Sequence, residues 1–412
     1  MGPLWKALPE GWRTGQVKNI ATVTLGKMLQ SKDSGSDSRA PYMRAANVQP
    51  DGVLALDDAN EMWFRAGELE QLSIRAGDVV VVEGGQGGFG RAAYVDQDLP
   101  GWGFQNSINR LRPRGECDGR FLAFYLIALR ASGFIRAYAN VVSMPHLTAE
   151  KLARIPIPLP PVDRQRDIAD YLDRETVRID TLIEEQRRLV EMLRERRESA
   201  IRAVLLRGLD SDAPLRASGS EFLGSIPSAW NVVPTRHLCT ITTGDEDSGN
   251  ATEDGAYPFY VRGREILRSN AYAFDGEAVM TPGDGQGGTG KVFHYFDGKF
   301  QAHQRVYVFT DFHGIAGRYF YYYLSTFLRP IALAGSNTVT MESLRRPLLA
   351  GFPVAVPPSD EQTRIVGYLD EQTAKIDQLI AETERFIELS QERRAALITA
   401  AVTGRIDVRG AA

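Results

Sequence analysis

The sequence predicts an α+β chain: two domains joined by two long antiparallel coiled-coil helices, with pseudo-two-fold internal duplication. Three observations carry this. A segment opening PPVDRQRDIADYLD at Pro160 returns without a gap, 197 residues later, as PPSDEQTRIVGYLD at Pro357. Both copies have a seven-residue apolar period. The stretch ahead of each copy alternates short Val, Ile, Tyr and Phe runs with Gly, Asp and Asn, a pattern of strands and turns. A period this long is a duplicated domain pair and not a solenoid.

Residues 1–158 form the first domain. It opens on LPEGWRTGQVKNIATVTLG from Leu8, carries the strand signal DVVVVEGGQGG and ends after the helical stretch FLAFYLIALRAS. Residues 159–209 form the first helix. Two prolines stop what precedes it and Asp163 is placed to cap it. Its seam reads Leu172, Thr176, Ile179, Ile183, Gln186, Val190, Leu193, Arg197, Ala200 and Val204. Residues 210–356 form the second domain, opening on IPSAWNVVPTRHLCTITTG from Ile226, with RVYVFTDFHG as a strand signal and YFYYYLSTFLRP as a helical one. Residues 357–412 hold the second helix, where Ser359 and Gln362 fit a capping box. Its seam is Leu369, Thr373, Ile376, Ile380, Thr383, Ile387, Ser390, Arg394, Leu397 and Ala401. About four heptads per copy suffice for a coiled coil, and matched polar interruptions at 186/383 and 197/394 fix register.

The intervening domain sets the helix direction. Each helix is about 60 Å long at 1.5 Å per residue. A domain the size of residues 210–356 has a radius of gyration near 15 Å, with termini that are often close together. It joins the end of one helix to the start of the other only if they run antiparallel, which puts one domain at each end of a rod.

The bulk numbers describe an ordinary globular chain of 412 residues, 43% hydrophobic and 24% charged, with a formal net charge of −4. That charge argues against a uniformly basic nucleic-acid binder but leaves room for local patches. Residues 1–158 carry 18 Lys+Arg against 16 Asp+Glu, and residues 210–356 carry 12 against 15. The second domain is therefore acidic, largely through GDEDSGNATEDG at 244–255. Two cysteines make no disulfide framework, five scattered histidines make no metal pair, and no apolar run spans a membrane. The cytoplasm is the expected compartment.

GDGQGGTGKV at Gly283 imitates a nucleotide-binding loop. A P-loop needs a hydroxyl after its lysine and a helix after that, whereas Val292 follows Lys291 and the chain continues as VFHYFDGKFQ, a strand pattern. The first copy, GGQGGFGRAAYV, behaves alike, with Arg91 where Lys291 stands. Each is expected to be a glycine hairpin whose backbone amides and cation can approach a nucleic-acid phosphate. A P-loop NTPase using Gly285–Lys291 and a coiled-coil scaffold without DNA specificity are the alternatives.

At this point the chain resembles the specificity (S) subunit of type I restriction–modification systems. The resemblance rests on IPIPLPPVDRQRDIADYLD, FPVAVPPSDEQTRIVGYLD, the terminal AAVTGRIDV, the LPEGW and IPSAW openings, PYMR and MPHLTAEKLARIPIPLPP. It implies two target recognition domains, each reading half of a bipartite double-stranded DNA site. The helices then set the spacer and dock two methyltransferase (M) subunits, and restriction/translocase (R) subunits complete the complex. It also implies no cofactor in this chain, with S-adenosylmethionine in M, and ATP and magnesium in R. No Asn/Asp-Pro-Pro-Tyr/Phe motif occurs, since the Pro-Pro pairs read LPPV and VPPS; the expectation is a non-catalytic subunit. Matching PYMRAANV to FYVRGREI, GGQGGFGR to DGQGGTGK and GFQNSINR to KFQAHQRV selects the candidate DNA-contacting residues. They are Arg44, Asn47, Gln86, Arg91, Asn106, Asn109, Arg110 and His146 in the first domain. In the second they are Arg262, Arg264, Gln286, Lys291, His303, Gln304, Arg305 and Asn337. Arg pairs bidentately with guanine and Asn or Gln with adenine.

Overall fold

The computed structural model describes residues 4–85, 87–139, 146–220, 222–284, 290–334 and 344–410. The chain forms two compact units, Met1–Gln186 with Arg385–Ala412, and Arg187–Glu384.

In the first unit the strands are β1 (Arg13–Gln16), β2 (Ala21–Leu25), β3 (Ser38–Met43), β4 (Asn60–Phe64), β5 (Val79–Val82), β6 (Ala92–Tyr94), β7 (Gly103–Phe104) and β8 (Ile108–Pro113). Helix α1 (Gly119–Ala131), strand β9 (Pro156–Leu159) and the long helix α2 (Val162–Arg207) follow. β1 pairs antiparallel with β9, which returns the end of the domain to its start. The main sheets run β2-β8-β5-β6 and β4-β3-β7.

The second unit repeats the plan. After a short antiparallel pair, Leu215–Ala217 with Ser225–Pro227, its strands are β10 (Asn231–Pro234), β11 (Thr240–Thr243), β12 (Tyr257–Tyr260), β13 (Ile266–Ser269), β14 (Phe274–Pro282), β15 (His294–Ala302) and β16 (Val306–Thr310). Helix α3 (Gly317–Ala334), strand β17 (Pro353–Val356) and the long helix α4 (Ser359–Val402) complete it. β10 closes on β17, and one six-stranded sheet runs β11-β16-β14-β15-β12-β13. This is the strand order of the first unit. There the order is divided between two sheets because β6 and β7 are separate strands; here the single β15 does the work of both.

Both glycine loops join antiparallel strands: Val81 pairs with Ala92, and Met280 with His294. A strand–loop–strand layout removes the P-loop alternative, which requires a helix after the loop.

The heptad pattern holds. Every predicted seam position is buried or half-buried. In the first unit Ile168 and Leu172 share a core with Ile398, Ala401 and Val402. In the second, Ile201 and Leu205 share one with Ile365 and Leu369. Rising numbers on one helix meet falling numbers on the other, so the helices run antiparallel within each unit. The matched arginines are interhelical partners. Arg394 donates to Asp180 at 2.8 and 3.1 Å, and Arg197 lies 2.8 Å from Asp377. Cysteines replacing Arg166 and Ala400 are therefore expected to form a disulfide on mild oxidation, read on a non-reducing gel; a parallel pair would hold these positions at opposite helix ends and give no crosslink.

The capping expectation needs correction. Gln362 does not reach back to Ser359. Its Nε2 donates to the carbonyls of Gly314 and Pro357 at 3.0 and 2.9 Å, and its Oε1 accepts from the Ala316 amide at 2.7 Å. Gln165 makes the same three bonds, to Glu116, Pro160 and Asp118. Each glutamine ties the start of a long helix to the loop that launches α1 or α3. Asp163 lies inside the first turn and pairs with Arg166.

Candidate nucleic-acid interface

One turn is built twice from the same backbone hydrogen bonds. In the first unit it is Gln105–Asn106–Ser107, between β7 and β8. The Gln105 amide donates to Met43 O (2.9 Å), Asn106 to Lys27 O (2.8 Å), Ile108 to Gln105 O (2.9 Å), and Glu83 to Ser107 O (2.9 Å). In the second it is His303–Gln304–Arg305, between β15 and β16. There His303 donates to Tyr260 O (2.9 Å), Gln304 to Glu246 O (3.0 Å), Val306 to His303 O (2.8 Å), and Gly283 to Arg305 O (2.8 Å). Gly26 and Gly244 flank the turns alike, donating to Ile108 O and Val306 O at 3.1 and 3.2 Å. A constant frame thus carries two different sets of side chains.

The frame corrects two of the sequence matches. GFQNSINR against KFQAHQRV superposes Phe104 on Phe300, but the hydrogen bonds equate Phe104 with Ala302 and Gln105 with His303. PYMRAANV against FYVRGREI is off by one, since Tyr42 stands where Phe259 does, as the parallel pairs Tyr42–Gly103 and Phe259–Gln301 require. Arg262 therefore corresponds to Ala45 and not to Arg44. An isolated aromatic residue is a weak anchor for strand register, whereas a slip of one residue reverses every side chain. The glycine-loop match is in register, with Glu83 and Gly283 in equivalent places.

In the second unit Arg262, His303, Gln304 and Arg305 converge. Two carboxylates that the sequence pattern did not single out organise them. Asp284 faces Arg305 (3.2 Å) and Arg262 (3.9 Å), and Asp247 accepts from Gln304 (3.4 Å) and lies 3.9 Å from His303. Asp284 opens the matched loop DGQGGTGK, the one signal that pointed to it; Asp247 lies in the acidic run 244–255, which in sequence has the look of a solvated loop. The His303 side chain is buried, and its Nδ1 accepts from the Arg305 amide at 3.0 Å. Burial, assisted by Arg262, holds its imidazole below the usual histidine range, which keeps this nitrogen an acceptor. Arg264 and Lys291 lie apart from this cluster, on a crevice described below.

In the first unit, Asn106 is the one candidate residue that lies in the turn, between Gln105 and Ser107. His146 is exposed and bridges to Gly84, 4.0 Å from Glu83, whose carboxyl is raised by burial. Arg91 donates to Val48 O at 3.4 Å. Arg44 pairs with Asp58. Three others are interior. Asn47 donates to Ala55 O and Asp58 O at 2.8 and 3.3 Å, Asn109 donates to Leu147 O at 2.9 Å, and Arg110 donates to the carbonyls of Gln71 and Ser73 and to Thr24 Oγ1. These side chains hold loops in place. Gln86, Gln286 and Asn337 lie outside the described residues. Among the described residues no group of three or more His, Cys, Asp or Glu is placed to hold a metal ion, and no helix is long and apolar enough to cross a membrane.

The profile of the family described as type I restriction modification DNA specificity domain matches twice, over residues 9–191 and 227–388. The chain belongs to this family. This specificity-family chain is 30% identical over 183 residues to the Type I restriction enzyme EcoDI specificity subunit of Escherichia coli, a match covering 44% of the chain and 40% of the relative. The chain thus spans less than half the length of that relative. Among solved structures, a chain from a type I R-M system studied for complex assembly and conformational transition superposes with a TM-score of 0.76 at 17% identity, covering 97% of this chain and all of that one. The HsdS subunit from Thermoanaerobacter tengcongensis gives 0.53 at 19% identity, covering 97% and 98%. Both are likenesses of fold. The two profile matches follow the internal duplication of the chain, the repeated unit with its long helix.

Proposed function

We propose that the chain is the sequence-recognition subunit of a type I restriction–modification complex and performs neither methyl transfer nor cleavage itself. The observation that carries this is the repeated turn, whose backbone frame is constant and whose side chains differ. Residues 1–158 read one half of a bipartite double-stranded DNA site and residues 210–356 the other. The helical segments 159–209 and 357–412 set the spacer and dock two M subunits, and R subunits join that assembly. S-adenosylmethionine belongs to M, and ATP and magnesium belong to R.

In the second domain Arg262, Gln304 and Arg305 present donors suited to guanine and adenine edges, and Asp247 and Asp284 present acceptors suited to the cytosine amino group. In the first, Gln105 and Asn106 are the turn's amides, and Met28 and Leu29, which follow the Lys27 carbonyl that accepts from Asn106, are exposed apolar side chains suited to a thymine methyl. Asn47, Asn109 and Arg110 act indirectly, by shaping the loops. The acidic balance of residues 210–356 makes the isolated chain a weak DNA binder, so M subunits supply much of the phosphate contact.

Co-expression with the M subunit encoded beside it, followed by sequencing of modified bases, tests the reading. The expected product is one bipartite motif with a fixed spacer. Methylation without sequence preference, by a complex that contains the chain, would refute it.

A further inference from the structure

The two units differ at one place where the fold makes them equivalent. In the first, β3 and β4 are joined by residues 44–59, and this long loop folds back toward the helices. Asp51 is held at a positive φ of 63° and gives Arg394 both its carbonyl (3.1 Å) and its carboxylate (3.4 Å). Val48 O accepts from Arg91. Gly52 lies against Ile127 of α1, where an added Cβ would come within 3.0 Å of the isoleucine. The first unit partly fills this space with its own carboxylate and apolar contacts, leaving a pocket of about 400 Å³ between Asp51, Gly52, Ile127 and Arg394.

In the second unit the equivalent strands β12 and β13 are joined by residues 261–265 alone. Among the described residues no loop reaches back, and a crevice of about 880 Å³ remains. Arg197, the counterpart of Arg394, and Lys291, the counterpart of Arg91, both line it. So do Arg194, Arg264 and Arg329, with Glu198 as the one carboxylate among the described lining residues. Arg194 and Arg197 have helix partners in Glu384 and Asp377, and Glu198 has Arg202. Arg264, Lys291 and Arg329 have no ion pair among the described residues. The α3 wall has changed character too. The shared glutamine and arginine contacts of α1 and α3 equate Ile127 with Ser325 and Ala128 with Thr326, so hydroxyls stand where the first unit has an apolar wall. Gathering these like charges along one crevice raises the local electrostatic energy, which a bound anion would relieve.

We propose that this crevice holds a phosphodiester of the DNA backbone, in the place that Asp51 fills in the first unit. The inference rests on the recognition function proposed above. It favours DNA over an acidic protein segment because Arg264 lies two residues from Arg262, and Lys291 closes the glycine hairpin that begins at Asp284. The crevice is therefore lined from the same two loops that carry Arg262 and Asp284. Phosphate contacts position a protein without reading sequence. The crevice should accordingly govern affinity and its salt dependence and leave the motif alone.

The test uses the co-expressed complex with M and two duplexes of equal length, one containing the mapped motif and one without it. Arg264→Gln/Lys291→Gln/Arg329→Gln removes the three exposed cations, and Thr326→Glu, separately, brings a carboxylate to the crevice wall. For the triple variant the slope of log K against log salt is expected to flatten by about 0.9, the value for one phosphate no longer neutralised. Thr326→Glu is expected to weaken binding at low salt, and both variants are expected to keep the wild-type methylated motif. An unchanged slope and affinity in both variants overturns the proposal. So does loss of M from the purified triple variant, which would make the crevice a docking site for protein. If the wild-type complex prefers neither duplex, the recognition function falls and the crevice proposal with it; a wild-type preference with variants indistinguishable from it removes the crevice proposal alone.

Discussion

Replacing residues 210–356 with the corresponding segment of a relative changes one half of the methylated sequence and leaves the other half and the spacer as they were. Each unit has its own hydrophobic core, and the described turn of each is built from strands of that unit alone. Contributions from sites without shared contacts add. Each base pair misread costs roughly 1–3 kcal/mol, so a half-site of several pairs is lost outright once its reader is exchanged. The spacer persists because the exchange leaves α2 and α4 intact. Sequencing modified bases in cells that carry the hybrid chain gives the result directly. A hybrid that alters both halves, or a folded complex that methylates nothing, would show that the domains do not read independently.

Gly26→Ala and Gly244→Ala are expected to abolish recognition of the first and the second half-site respectively. A Cβ on Gly26 would overlap the carbonyl of Gln105, and one on Gly244 the carbonyl of Ala302. These are backbone atoms at the turns, so relief requires the turn itself to move. Overpacking of this kind costs about 1–3 kcal/mol, enough to displace a turn held by a few amide bonds and too little to unfold a unit. The measurement is methylation of hybrid duplexes in which only one half-site is intact, with helical circular dichroism as the folding control. If either variant methylates its wild-type motif at the normal rate, the turn is not the reading element.

Much of this is legible in the sequence itself. The long helices and the glycine hairpins depend on local patterns, a heptad, a proline pair and strand alternation on both sides of a loop; the duplication is a plain repeat, and the antiparallel direction follows from how short a distance the domain between the helices can span. The site was legible only in part. Arg110 and Arg305 look alike in sequence, yet one is buried among carbonyls and the other stands exposed beside Asp284. The difference lies in where β8 and β16 meet partners distant in the chain. The two-residue error in matching the turns has the same origin, because Phe104 and Phe300 are alike as residues while hydrogen bonds to Met43 and Tyr260 decide equivalence. The crevice was invisible for a further reason. It exists because residues 261–265 are too few to fill it, and the sequence does not say what a missing loop would have covered.

The turns also bear on how such a chain can change over generations. The hydrogen bonds that hold Gln105–Asn106–Ser107 and His303–Gln304–Arg305 in place run mainly through amides and carbonyls, which every residue except proline supplies. Mutation at these positions is therefore buffered against loss of folding, and drift among side chains can proceed on a scaffold that does not register it. Under the proposed function, point changes in three codons, or exchange of a whole domain, would alter which DNA is recognised. Neither route requires the helices to be rebuilt.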